Sequence, residues 1–484
     1  MQCKVLLMGC LVAAMLSGCG SSFSRGGPDD GAPDAAGGDA ASDVSSVPLA
    51  VQDMQLAVNR DLDVLFLVDD SFAMTDKQDN LAAALPQFLA ALTAGQNELP
   101  NLHAAVITSD MGTQGADDAA PGPAIGTIGR GGCRNRGKSG VMQLFGASGV
   151  TGPFLSDIAD ASGARTRNYT GELATTLASM VKAGALGCGF EQPLEAIKQA
   201  LLPTNTANAG FLRPDAALAV VILSDEDDCS IAHSTLLTPS EAVLGPLHSF
   251  RCVRFGVTCD VNGATPEAMN RLGGKGQCHP TADATYLTRV GDYATFLKGL
   301  KADPSRVFVA AISGALEPTG VVLRVPPGGT VPVPSIARSC SYTAASGDRE
   351  LAEPPIRLQA FLDQFPQRSA AIPICQRDLA PDLQQLAGRI LAVGGGRCLI
   401  DPLLDLEPQT PGLQYECAVS AIAADRAETT LPRCTPESST ASNAPCWHLV
   451  EDAATCPSAD HRRVVIEKSE QLAADTHLVT HCRI

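Results

Sequence analysis

The chain has 484 residues, a formal net charge of −17, and a composition that is 45% hydrophobic but only 4% aromatic. That length suits two to three average domains or one large domain with insertions, and Leu, Val, Ile and Ala must build the core. The acidity argues against nucleic acid as a partner, because phosphate binding needs a net basic surface, and it favours solubility and the attraction of cations.

Residues 1–18 read as a targeting segment. Lys4 supplies a short positive region, and Val5 to Leu16 is an apolar run too short to cross a bilayer. It ends in Leu16-Ser17-Gly18-Cys19, which resembles a bacterial lipobox. The resemblance implies cleavage before Cys19 and lipidation of its thiol, with an ordinary signal peptide as the alternative. Gly20, where an Asp would retain the protein, implies an outer-membrane location, on the periplasmic or the cell-surface side. No later stretch has the roughly 18 apolar residues of a membrane-spanning helix, so the lipid is the one expected anchor. Residues 19–50, mostly Gly, Ser, Ala, Asp and Pro, read as a flexible tether.

The body begins near residue 60. Val64-Leu65-Phe66-Leu67-Val68 is an apolar run expected to form a strand buried on both faces, and it breaks abruptly into Asp69, Asp70 and Ser71. Thr75-Asp76-Lys77-Gln78 fits a capping box with Thr75 as N-cap. Leu81, Leu85, Phe88, Leu89 and Leu92 then share one helical face, and Pro86 is expected to kink or split that helix. His103 to Thr108 is a second buried strand, ended by Ser109-Asp110; residues 112–152 are Gly-rich loop. Residues 172–202 carry two helices divided at 184–189.

Leu218 to Leu223 is a further apolar strand, and it too breaks into polar chemistry, Ser224-Asp225-Glu226-Asp227-Asp228. Residues 229–285 look like an insertion stapled by Cys229, Cys252, Cys259 and Cys278. A helix resumes at Tyr293, Arg306 to Ile312 is a strand, and residues 316–355 are a Pro- and Gly-rich surface excursion. A helix over 356–365, a strand over 370–374 and a helix over 381–391 complete the unit. Alternating strands and helices over 60–395 predict an α/β domain, doubly wound around a mostly parallel sheet. Residues 396–484 lose helical periodicity and read as a small Cys-rich β tail, with short strands at 464–467 and 477–482.

Of the 17 cysteines, Cys3, Cys10 and Cys19 belong to the leader. Cys133, Cys188, Cys229, Cys252, Cys259, Cys278, Cys340, Cys375, Cys398, Cys417, Cys434, Cys446, Cys456 and Cys482 remain. An even set in an oxidising compartment reads as disulfides, up to seven, whose pairing the sequence leaves open.

The strand ending in Asp69-x-Ser71-x-Ala73, followed by a capped helix, resembles the first motif of a von Willebrand factor type A domain. Leu218 to Asp225 is similar to the strand that carries that family's final Asp. The resemblance implies a Rossmann-like fold over residues 60–395 and a metal-ion-dependent adhesion site built on Asp69, Ser71 and Asp225. A cation there, Mg²⁺ or another divalent ion, would bridge to an acidic group on a protein or extracellular polymer partner. The match is degenerate. Ala73 stands where the family has a second Ser, and Gly187 to Gln192 lacks the expected Thr. Mg²⁺ demands near-complete oxygen coordination, so Asp70, Glu191 and Asp227 are the auxiliary carboxylates to consider. The alternative is a vestige in which Asp69 caps the following turn and no ion binds, leaving an envelope scaffold that works without metal.

Other motifs weigh less. Gly132 to Ser139 fits the phosphate-binding pattern Gly-x-x-x-x-Gly-Lys-Ser, but no buried strand precedes it and no helical pattern follows. The acidic run at 225–228 lacks EF-hand spacing. His477 and His481 share a face of an extended segment, a thin basis for zinc. Neither His-Glu-x-x-His nor Gly-x-Ser-x-Gly is present, so a binding protein is expected and an envelope hydrolase is the least favoured class.

Overall fold

The computed structural model describes residues 48–484, except 57–58, 95–97, 161, 284, 327–328, 395–396, 436–443, 454–455, 457–459 and 474–475. The expected targeting segment, the lipidation at Cys19 and most of the expected tether lie outside the described residues.

In chain order the first elements are β1 (Leu49–Gln55), β2 (Asp61–Val68), α1 (Thr75–Ala94), β3 (Asn101–Thr108), β4 (Leu155–Ala159), β5 (Arg165–Arg167), α2 (Leu173–Met180), α3 (Pro193–Leu201) and β6 (Ala217–Leu223). The 229–285 insertion holds α4 (Glu241–Leu244), α5 (Phe250–Gly256), β7 (Val257–Val261), α6 (Pro266–Met269) and β8 (Gly273–Pro280). Next come α7 (Val290–Lys298), β9 (Val307–Ser313), β10 (Thr319–Arg324), β11 (Val333–Ile336), β12 (Cys340–Thr343), β13 (Arg349–Ala352), α8 (Ile356–Leu362), β14 (Ser369–Pro373) and α9 (Ala380–Val393). The tail contributes β15 (Cys417–Ile422), β16 (Glu428–Leu431), β17 (Cys446–Glu451), β18 (Arg462–Glu467) and β19 (His477–Arg483).

The centre is a seven-stranded sheet in the order β14-β9-β6-β2-β3-β4-β5. Its first five strands are parallel, and β4 and β5 add an antiparallel edge. The apolar runs became strands because both of their faces are covered. Val64, Phe66 and Val68 pack with α1, α2 and α9, whereas Leu65 and Leu67 pack with α3, α7 and α8. Each such side chain contributes roughly 1.5–3 kcal/mol by leaving water, and the result is a mixed α/β body with helices on both faces of a mostly parallel sheet.

Several local expectations change. Helix α1 runs unbroken through Pro86, whose side is exposed, because Leu81, Leu85, Phe88, Leu89 and Leu92 are all buried and hold both halves in place. The capping box is not used. Gln78 Nε2 instead donates to Asp69 O and Gly184 O, and its Oε1 accepts from Gly184 N, tying the end of β2 to the 181–192 loop. The insertion and the surface excursion are one structure: β11, β10, β8 and β7 form a single antiparallel sheet. Leu49 and Ala50, expected in the tether, belong to β1, which pairs along its length with β19.

All fourteen non-leader cysteines are paired: Cys133–Cys188, Cys229–Cys252, Cys259–Cys278, Cys340–Cys375, Cys398–Cys456, Cys417–Cys482 and Cys434–Cys446. The tail's own core is small, centred on Met54, Val419, Trp447, Val464 and Leu478, which is why disulfides accompany it. This β-rich part packs against α9 and the approach to β2, where Asn59 N–H donates to Gly394 O at 2.6 Å. Ile484 N–H donates to Pro48 O at 3.2 Å, at the opposite end of the β1–β19 pair.

Candidate functional site

Strand β2 is flanked by β3 on one side and β6 on the other, so its carboxyl end is a topological switch point, where open α/β sheets place ligands. Val68 pairs with Leu223, and Asp69 N–H donates to Leu223 O at 2.9 Å. Asp69 and Asp225 therefore emerge side by side, as the sequence predicts. Ser71 N–H donates to Asp69 Oδ1 at 2.8 Å, closing a tight turn into α1. Two hydroxyls that sequence reasoning passed over complete the shell of Asp69. Ser224 Oγ donates to Oδ2 at 2.7 Å and Ser109 Oγ to Oδ1 at 3.4 Å.

Asp225 has the decisive partner. Lys77, from the first turn of α1, places its ammonium 3.1 Å from Asp225 Oδ2 and 2.8 Å from Ala73 O, and it is also ion-paired with Glu350 of β13. Its side chain is wholly buried. A cation at a helix amino terminus opposes the helix dipole, so the two carboxylates and the Ala73 carbonyl must hold it there. The ammonium thus bonds through its carbonyl the very residue, Ala73, that lacks a hydroxyl to offer a metal. Lys77 was legible: it lies one helical step before Leu81 and Leu85 on the apolar stripe, an unexpected place for a lysine.

The auxiliary carboxylates divide. Glu191 does reach the corner, and burial together with the charges of Glu226, Asp69 and Asp225 pushes its carboxyl well above the usual range. Asp70 does not join it. Its carboxylate turns to Lys138, the lysine of the phosphate-loop look-alike, and burial still lifts it to about 6. Asp227 is also diverted, accepting from Arg357 N–H at 2.9 Å and Leu358 N–H at 3.1 Å at the start of α8. Burial raises it to about 7. Both leave the corner because a stronger local donor claims them.

The corner is also covered. Glu353 N–H donates to Asp225 O at 2.8 Å, and Glu353 is held by Arg324 at 2.6 Å and Arg338 at 3.0 Å. The 316–355 excursion therefore lies over the strand ends. Asp69, Glu191 and Asp225 are only 0%, 2% and 2% exposed, so a partner outside cannot touch them. Burial, then the charge of Asp225, raises Asp69 to about 7.

These residues do not suit a divalent cation. Asp225 Oδ1 is buried without a partner, as a ligand oxygen would be. Its other oxygen, however, already faces the Lys77 ammonium, and both oxygens of Asp69 are taken by protein donors. A dication beside that ammonium would meet like-charge repulsion in a poorly screened interior, with too few oxygens left for octahedral coordination. Among the described residues, no group of three or more His, Cys, Asp or Glu is arranged to hold a metal. His477 pairs with Asp53 at 2.8 Å, as a link between β19 and β1. A separate cleft of about 320 Å³, lined by Gln114, Arg136, Gln199 and Asn205 among others, contains none of the predicted site residues.

The chain matches no protein-family model. No curated protein matches it either. Among solved structures, it is similar to the pilus adhesin SpaC from Lactobacillus rhamnosus GG, at 11% identity over 90% of this chain and 42% of that one, with a TM-score of 0.27. The open conformation of the same adhesin gives 11% identity, the same coverage and a TM-score of 0.29. The adhesive tip pilin GBS104 from Group B Streptococcus agalactiae gives 8% identity over 90% of this chain and 80% of that one, with a TM-score of 0.24. The chain thus spans less than half the length of SpaC, and superposition at this level assigns neither a shared fold nor a shared activity.

Proposed function

We propose that this protein is an outer-membrane lipoprotein whose von Willebrand factor A-like body binds a protein partner at the cell envelope without a metal ion. Three features support the reading: the leader ending in Cys19, the parallel sheet with Asp69 and Asp225 at its switch point, and seven disulfides suited to an oxidising compartment. The single observation that carries the metal-free character is the buried Lys77 ammonium between Asp225 and Glu350. Positive charge supplied by the chain itself makes the corner a structural keystone instead of an ion-dependent switch.

The reading is of a binder and not an enzyme. Ser109 and Ser224 spend their hydroxyls on Asp69, and among the described residues no histidine hydrogen-bonds to Asp69, Ser71, Glu191 or Asp225. Both serines are fully buried, so a substrate outside does not reach a hydroxyl beside the Asp69 carboxylate. The test is chemical crosslinking in intact cells followed by co-purification with and without EDTA. A partner retained in chelator is expected. A partner lost in EDTA and regained on adding Mg²⁺ would return the function to cation-bridged adhesion, and turnover abolished by one point mutation would make the protein an enzyme.

A further inference from the structure

Around the sealed corner, three loops present a surface of different character. Phe72 follows β2, Ile128 lies in the long loop after β3, and Leu186 precedes α3; they are 58%, 42% and 67% exposed. They are neighbours. Gly187 N–H donates to Asp70 O at 2.7 Å, so Phe72 and Leu186 flank one hydrogen bond. Leu186 lies against Gly129, where a Cβ would come within 3.1 Å of its Cδ2, and Gly129 follows Ile128. Gly189 N–H donates to Gly131 O at 3.2 Å, and the Cys133–Cys188 disulfide locks the two loops together. The apolar side chains are thus carried on a braced frame with little conformational entropy left to lose on docking.

The same frame is basic in a chain of net charge −17. Between Ala119 and Ser156 the sequence carries Arg130, Arg134, Arg136 and Lys138 and no carboxylate. Lys138 is consumed internally, paired with Asp70 and 4.0 Å from Asp110. Arg130 and Arg134 are exposed and, among the described residues, form no ion pair. Guanidinium forks beside aliphatic and aromatic anchors fit a polypeptide that offers carboxylates and apolar side chains together.

We propose that the surface formed by Phe72, Ile128, Leu186, Arg130 and Arg134 docks an acidic, partly apolar polypeptide segment. This deepens the partner-binding function proposed above and rests on it; the donors to the partner's carboxylates are a pair of guanidiniums on a disulfide-clamped loop, outside the buried Asp69–Asp225 corner.

The test immobilises the purified full chain and selects binders from a random-peptide display library. Selected peptides rich in Asp or Glu interspersed with Leu, Ile or Phe are expected. Their affinity should fall roughly tenfold or more for Arg130→Glu/Arg134→Glu and by a similar factor for Phe72→Ser/Leu186→Ser, with unchanged melting temperature in both variants. It should also weaken as salt rises. Peptides that are not acidic, no enrichment, or affinities unmoved by these substitutions would overturn the proposal. Sedimentation with phosphatidylglycerol vesicles that depends on Arg130 and Arg134 would replace the peptide with a lipid surface. Self-association lost in the same variants would replace it with a second copy of the chain. A cellular partner captured equally well by the variants would leave the wider function standing and remove this surface. Acidic peptides that bind here when cells yield no partner would do the reverse.

Discussion

Replacing Lys77 by Met tests whether the corner is held by an internal cation. Lys77 is one of the largest fully buried side chains, with Nζ bonded to Asp225, Glu350 and Ala73 O. Met keeps most of the volume and removes the charge, leaving Asp225 and Glu350 facing each other unpaired. Breaking a buried ion pair by removing one partner costs about 3–5 kcal/mol. Unfolding entropy of about 2 cal/mol/K per residue converts this, for a body of this length, into a melting-temperature loss of roughly 3–6 °C. Differential scanning calorimetry of the purified chain measures it. Adding Asp225→Asn to Lys77→Met should recover part of the loss, because the two residues share one interaction. Titration calorimetry of the wild type with Mg²⁺, Mn²⁺ and Ca²⁺ should show no site-specific heat. A wild-type melting temperature raised by Mg²⁺, lowered by EDTA and made indifferent by Asp225→Asn would refute the reasoning, and so would a Lys77→Met protein as stable as the wild type.

Three other outcomes are expected. Asp69 and Asp227 are raised to about 7 and Glu191 well above the usual carboxylate range, each chiefly by burial, so each binds its proton more tightly folded than unfolded. Their stabilising contribution is complete below the ordinary carboxylate range and is lost as pH rises through about 7; melting temperature should therefore fall between pH 5 and pH 8, and Glu191→Gln should flatten that slope. Removing the Cys133–Cys188 bridge, by Cys133→Ser/Cys188→Ser, should cost about 2–4 kcal/mol, and limited proteolysis should then cut the 112–152 loop, which the wild type protects. Cys19→Ser should abolish metabolic labelling with palmitate and move the protein from the detergent phase to the aqueous phase, whereas unchanged labelling would remove the lipid anchor from the proposal.

Much of the central architecture was legible in local pattern. Runs such as Val64–Val68 and Leu218–Leu223 admit few environments other than a strand covered on both faces, because any exposed face would carry polar residues. The leucine stripe of α1 announced that helix in the same way. Asp69 and Asp225 could be placed together because each ends such a run, and parallel strands share a carboxyl edge. The even cysteine count announced disulfides, and all the pairs formed.

What tertiary structure alone decided is what those groups face. Lys77 meets Glu350 across 273 positions of sequence, and Glu353 closes over Asp225 from the same distant excursion. Sheet pairing of the 229–285 insertion with residues 319–336, and of β1 with β19, likewise joins segments that carry no mark of each other. The physical reason is that periodicity reports whether a residue is buried, while the identity of its neighbour is set by long-range closure of the chain. An aspartate at a strand end reads the same whether a metal, a lysine or a helix terminus will neutralise it, and here the fold chose the lysine for Asp225, Lys138 for Asp70 and the start of α8 for Asp227.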